Sequence, residues 1–246
     1  MHIYIYDSFL GQKKYLTQVH EAEAKITDLG LSGRVCRLGQ LRSLTDVVRG
    51  ELRRMPKTIV AIGDDNLVSQ VISLMGGSGV ALGIIPIGES HKIAEGLGIT
   101  AENACNVLAA RRIIKIDLGL VDNRAFVRRA ELVGRKLKLQ IDGNYTISST
   151  DAKIEAINFL LDNDETFSAS SPQPQSGSLY LVVTKEQKSG FLKKDFERSL
   201  IPFRELNIQT DEAEAALDGL TIVRHPKKIS VLPNGLEVIV GRERNF

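Results

Sequence analysis

The chain has 246 residues, 43% of them hydrophobic and 25% charged, with a net charge of +2 at pH 7. That length holds one large domain or two small ones, and the near-balanced charge excludes a global nucleic-acid footprint. No apolar run approaches the roughly 20 residues of a membrane-spanning helix.

In chain order, His2–Tyr6 alternates polar and apolar residues and predicts a strand; it is too short and too soon followed by Asp7 for a signal peptide. Leu16, Val19, Ala22, Ile26 and Leu29 recur at helical spacing, closed by Gly30 and Gly33. Arg34–Leu38 predicts a second strand, and Leu44–Leu52 a helix that Pro56 ends. Thr58–Ile62 and Val80–Ile87 are short apolar runs, the pattern of strands buried on both faces. Between them Leu67, Val68, Val71, Ile72 and Met75 mark a helix. Short helices near Ile93–Leu97 and Ala101–Ala110 precede a strand at Ile113–Leu118. Cys36 and Cys105 fall in these periodic segments and read as buried thiols of a protein in a reducing cytoplasm.

The second half predicts strands at Lys136–Ile141, Tyr145–Ser149 and Lys153–Leu160, with Asp151–Leu161 also compatible with a helix. A polar Ser/Pro/Gln-rich loop follows from Asp162 to Ser178. Further strands are predicted at Leu179–Thr184, Thr221–Arg224, Lys228–Leu232 and Leu236–Val240, with a turn at Pro233-Asn234-Gly235 and one helix around Lys193–Leu200. The fold class is therefore an α/β Rossmann-like nucleotide-binding domain, a parallel sheet flanked by helices, over residues 1–119. A β-sandwich-like domain follows over residues 120–246. Repeated right-handed βα units bring the turns after successive strands to one sheet edge, where ligands of such sheets bind. Candidate site residues are accordingly sought after Tyr6, Ile62 and Ile87.

Two of these turns carry a family signature. The run Thr58-Ile-Val-Ala-Ile-Gly-Asp-Asp-Asn, followed by Pro86-Ile87-Gly88-Glu89-Ser90-His91-Lys92-Ile93-Ala94, resembles the diacylglycerol kinase and sphingosine kinase superfamily of lipid kinases. Those proteins carry Gly-Gly-Asp-Gly-Thr and then Pro-Leu-Gly-Thr-Gly-Asn-Asp-Phe-Ala at the same places. Ile116-Asp117-Leu118-Gly119 and Asp218-Gly219 continue the likeness. The resemblance implies an active site in a cleft between a nucleotide domain and a β-sandwich, with ATP and Mg²⁺ as cofactors. It also implies a lipid alcohol as substrate and a cytoplasmic location with transient, peripheral membrane contact. Nucleotide-binding residues are then Gly63, Asp64, Asp65, Asn66, Gly88 and Glu89. Asp7, Ser8, Gly11 and Lys13 join them on the first turn, where the family often has Asn-Pro-x-x-Gly.

Glycine-rich turns between strand and helix expose N–H groups to phosphate, which is the physical reason for the pattern. Here Ile62, Asp65 and Asn66 replace Gly, Gly and Thr. A carboxylate about 5 Å from a phosphate costs roughly 3 kcal/mol per charge pair at an effective dielectric near 20. A Mg²⁺ held by Asp64 and Asp65 reverses that sign. The third alternative is that Asp64, Asp65 and Asn66 cap the following helix. The family's catalytic carboxylate begins an Asp-Gly-x-Leu-Asp segment, and the best match is Ser176-Gly177-Ser178-Leu179-Tyr180, so Ser176 occupies the expected base position. Asp162, Asp164, Glu165, Asp122 and Asp142 are substitutes, and Lys14 or Lys92 could neutralise phosphate. Three functions stay open: an ATP-dependent lipid kinase, a non-catalytic relative that binds a nucleotide or phosphorylated ligand, and, third because no Asn-Glu dipeptide occurs, an NAD kinase.

Overall fold

The computed structural model describes residues 1–39, 42–150, 153–159, 172–189, 193–210 and 212–244, with residues 186–189 and 193–197 described by backbone alone. Two compact units divide the chain: of the described residues, 1–116 and 234 onward form the first, and those from 117 to 233 the second.

The first unit runs β1 (His2–Tyr6), α1 (Leu16–Asp28), β2 (Gly33–Arg37), α2 (Leu44–Leu52), β3 (Thr58–Gly63), α3 (Asp65–Met75), β4 (Ala81–Pro86), α4 (Lys92–Gly96) and α5 (Ala104–Ala110). β5 (Ile113–Val121) then carries the chain into the second unit. Its sheet has the order β2-β1-β3-β4, parallel throughout. Every residue of β3 and β4 is buried, because helices cover both faces of a parallel sheet and the strands need no polar side. The step from β1 to β2 runs one way across the sheet and the next two steps run the other. Right-handed crossovers therefore put α1 on one face and α2 and α3 on the opposite face. The contacts agree: α1 packs on α5, and α2 on α3. The order reverses between β1 and β3, so the turns that follow them open at the switch point where ligands of such sheets bind.

The second unit is antiparallel. It comprises β6 (Arg124–Phe126), β7 (Arg129–Val133), β8 (Leu137–Ile141), β9 (Tyr145–Ser149), β10 (Lys153–Ile157), β11 (Leu179–Ser189), β12 (Lys193–Phe203), β13 (Glu205–Ile208), β14 (Glu214–Leu217), β15 (Thr221–Arg224) and the start of β16 (Lys228–Ile239). One sheet has the order β12-β11-β10-β7-β14-β15; in the other, β13 lies between β8 and β16, and β9 flanks β8. Alternate residues of the strands point inward, and Phe126, Leu132, Leu139, Leu181, Phe203 and Leu206 from the two sheets meet in one core. The predicted sandwich is thus present.

Two predicted elements change. The helix expected at Lys193–Leu200 is strand β12, paired residue for residue with β11 from Ser189↔Lys193 to Leu179↔Phe203. The two strands expected around Pro233-Asn234-Gly235 are one strand, β16. Residues 228–230 of β16 pair inside the second unit and Val238 pairs with Leu82 inside the first. The exposed Pro233 and Asn234, the latter with a φ of 52°, fall between those paired stretches, where a proline without an N–H is tolerated. Where the sequence admits both strand and helix, the described residues Lys153–Ile157 form strand β10. Cys36 and Cys105 are buried free thiols. No described helix is long and apolar enough to cross a membrane.

Candidate functional site

Three turns of the first unit are tied together. The Asp7 N–H donates to the Ile62 carbonyl at 3.0 Å, joining the turn after β1 to the end of β3. The Asp65 N–H donates to the Ser90 carbonyl at 2.9 Å and the Ile87 N–H to the Gly63 carbonyl at 3.0 Å, joining the turns after β3 and β4. Lys14 closes the ring by pairing with Glu89 at 3.1 Å, in an exposed contact of little energetic weight. Lys13 lies exposed on the same short turn, Lys13–Tyr15, and it is Lys14 that reaches across.

The two carboxylates of the β3 turn do different things. Asp64 caps α3, its Oδ1 accepting the Asn66 and Leu67 N–H groups at 3.0 and 3.3 Å. Asp65 is only 5% exposed and turns away from that helix. Its Oδ2 accepts from the Ser90 hydroxyl and the Lys92 N–H, both at 2.7 Å, and its Oδ1 accepts the Ile93 N–H at 2.9 Å. Asp65 therefore caps α4, whose own N-cap residue His91 makes no side-chain cap bond. Asn66 stays on the surface and accepts from Gln70 at 3.1 Å. The Ile62 side chain is fully buried in the sheet, so only its carbonyl serves the turn.

Two glycines set the cradle. A Cβ on Gly63 would lie 2.9 Å from the Leu67 Cδ2 and 3.1 Å from the Asp7 Cβ. Gly88 takes a φ of 141°, and a Cβ there would lie 2.9 Å from the Asp64 Cβ and 3.1 Å from the Phe9 ring. The N–H groups of Asp64, Gly88 and Glu89 make no hydrogen bond to another described residue. Asp7 is half-buried beside them; burial pushes its carboxyl above the usual range and the nearby Asp64 charge adds to this. Its Oδ1 also accepts from the exposed Ser8 hydroxyl at 3.3 Å. Gly11 has open space around it, so nothing steric demands glycine there.

In the second unit the Ser176–Ser178 turn folds on itself. The Ser176 hydroxyl donates to the Ser178 carbonyl at 3.0 Å and accepts its N–H at 3.3 Å. The carboxylate at this turn belongs to Asp117, which sequence reasoning named only as part of the family likeness. Its Oδ2 accepts the Gly177 N–H at 2.7 Å, and its own N–H donates to the Pro174 carbonyl. Asn158, wholly buried, anchors the backbone of Asp117 by donating to its carbonyl at 2.8 Å while also holding the Val127 carbonyl. Of the other acidic residues considered, Asp122 and Asp142 hold backbone N–H groups of Lys227–Lys228 and Arg204–Glu205 and so are turn anchors. Asp162, Asp164 and Glu165 lie outside the described residues.

Residues 2–121 match the diacylglycerol kinase catalytic domain. The first half of the chain belongs to that family. The fold extends the likeness to nearly the whole chain. A diacylglycerol kinase structure from Bacillus anthracis superposes with a TM-score of 0.76 at 15% identity, covering 98% of this chain and 97% of its own. Two further solved chains of that organism give a TM-score of 0.77 at 14% and 15% identity, with the same coverage. Among curated proteins none matches this chain.

A diacylglycerol kinase-type domain implies a nucleotide and a divalent cation. The Gly63–Gly88 cradle, whose Asp64, Gly88 and Glu89 N–H groups have no partner among the described residues, fits phosphate oxygens. Asp64 fits a cation as one carboxylate ligand through Oδ2, which takes no hydrogen bond in the cap. Asp65 does not fit, because both its oxygens are filled by Ser90, Lys92 and Ile93. Among the described residues no three His, Cys, Asp or Glu side chains converge into a ready-made metal cage.

Proposed function

We propose that the protein transfers the γ-phosphoryl group of ATP to the hydroxyl of a lipid alcohol. The observation that carries this reading is the cradle itself: Gly88, closed to any side chain by its φ and by Asp64, and the tightly packed Gly63, beside three N–H groups with no hydrogen-bond partner among the described residues. Preset donors of this kind bind phosphate without reorganisation, and positioning with charge neutralisation is most of what phosphoryl transfer requires. Asp64 would hold Mg²⁺ together with phosphate oxygens, and the ion would offset charge on the transferring group. In this reading the alcohol proton passes to a carboxylate base as the new O–P bond forms and the bond to ADP breaks, and the candidate on the turn where the resemblance expects that base is Asp117. Asp117 suits this role better than Ser176, whose hydroxyl is a poor proton acceptor and is closed onto Ser178. Incubation with ATP, Mg²⁺ and diacylglycerol in mixed micelles tests the reading. Phosphorylated lipid that disappears in Asp64→Ala supports it, and absence of product across several lipid alcohols and divalent cations counts against it.

A second reading is favoured by one observation, the serine at the expected base position. A non-catalytic relative would keep the cradle and bind the nucleotide without turnover. Tight ATP binding with no transfer to any alcohol, and with wild-type behaviour in Asp117→Asn, would select it.

A further inference from the structure

We propose that Asp65 is a positioning residue: an internal anion that occupies the donors of the Ser90–Ile93 turn and so presets the nucleotide cradle before any nucleotide arrives. This rests on the nucleotide-site reading above for its functional half. Phosphates usually engage an unpaired turn such as this one through its hydroxyl and N–H groups. Here the Ser90 hydroxyl and the Lys92 and Ile93 N–H groups all point at one carboxylate, at 2.7, 2.7 and 2.9 Å. The Asp65 N–H returns a bond to the Ser90 carbonyl at 2.9 Å, so the two turns are joined at both ends. Glycine at this place would leave those three donors without an acceptor. With Asp65 present, the backbone donors of these turns without a partner among the described residues include those of Asp64, Gly88 and Glu89. The clamp holds two of them, Gly88 and Glu89, on the segment between Ile87, bonded to Gly63, and Ser90, bonded to Asp65. The second carboxylate of the turn therefore points away from phosphate, and the charge repulsion the sequence suggested is replaced by a mechanical role.

Amide hydrogen exchange and Mg·ATP binding, measured on the full chain and on Asp65→Ala, Asp65→Asn and Ser90→Ala, test this. In the wild type without nucleotide, the Lys92 and Ile93 amides are expected to exchange slowly. In Asp65→Ala they exchange about a hundredfold faster, β1 amides stay protected, and the Kd for Mg·ATP rises about tenfold, as for loss of a charge-assisted bond. Asp65→Asn falls between the two. Should Asp65→Ala fail to fold, Ser90→Ala removes one bond of three and is expected to speed Lys92 exchange and raise Kd about threefold. Fast exchange of Lys92 and Ile93 in the wild type overturns the clamp. So does a Kd in Asp65→Asn and Ser90→Ala that is unchanged or tighter. A wild type with both amides protected but no affinity for ATP overturns the kinase reading instead and leaves the clamp standing.

Discussion

The Gly177 N–H donates to the Asp117 carboxylate at 2.7 Å, so the turn at the expected base position is built around a carboxylate from another strand. Asp117→Asn keeps the shape of that group and removes its ability to take a proton. It is expected to lower kcat about a hundredfold or more with little change in KM, the loss typical of a general base. Ser176→Ala is expected to change kcat less than about threefold, since the hydroxyl only closes a local turn. Steady-state kinetics on the two variants decide between the residues, and the reverse ranking would reinstate Ser176.

Gly88 combines a φ of 141° with contact to Asp64 and Phe9. Alanine there is strained by backbone and neighbour alike, at a cost of roughly 1–3 kcal/mol. Because the Asp64 Cβ must move, the larger effect is expected on Mg·ATP affinity, with Kd raised at least about tenfold by calorimetric titration. Equal affinity in Gly88→Ala would separate this glycine from the phosphate site.

Asp7 has a pH signature. Its carboxyl is raised above the ordinary 3.8, chiefly by burial. Between the ordinary and the raised values the folded state holds more proton than the unfolded state, so stability falls as pH rises through that window. Asp7→Asn removes the term. It is expected to be more stable than the wild type at neutral pH, with the advantage vanishing as pH drops below 3.8. Denaturant midpoints across pH 3 to 8, roughly the range where carboxylates titrate, report this; a pH-independent difference would contradict it.

Asp218 sits at a left-handed turn, φ 51°, and accepts the N–H groups of Val127, Arg128 and Arg129 at 2.9, 2.8 and 3.1 Å. Asp218→Ala strands three donors and is expected to cost about 2–4 kcal/mol in chemical denaturation. Asp218→Asn keeps an acceptor and tolerates the φ, so about half that loss is expected. A neutral Asp218→Ala would show that solvent satisfies those donors.

Local pattern made the first unit legible. Thr58–Gly63 and Ala81–Pro86 are nearly continuous apolar runs because both faces of their sheet are covered. The second unit depends on distant partners. β12 reads locally as a helix and becomes a strand because β11 pairs with it along its whole length. β7 and β14 pair with each other across some 80 intervening residues, from Glu214↔Val133 to Leu217↔Ala130, and short half-buried strands of that kind leave a faint signal. At the site, the positions of Gly63, Asp64 and Gly88 were readable from the strands they follow. The orientation of Asp65 was not, since its partners, Ser90, Lys92 and Ile93, lie 25 to 28 residues away on the next turn. Asp117 was visible only as part of a strand exit, because the turn it holds comes 60 residues later.

The most direct measurement follows backbone amide resonances during titration with Mg·ATP. The expected result is saturable shifts centred on Gly63, Asp64, Gly88 and Glu89, the N–H groups and glycines of the cradle, with Lys92 and Ile93 little changed because Asp65 already holds them. Shifts that leave these turns untouched, or no saturable shift at all, would contradict the assignment of this cradle as the nucleotide phosphate site.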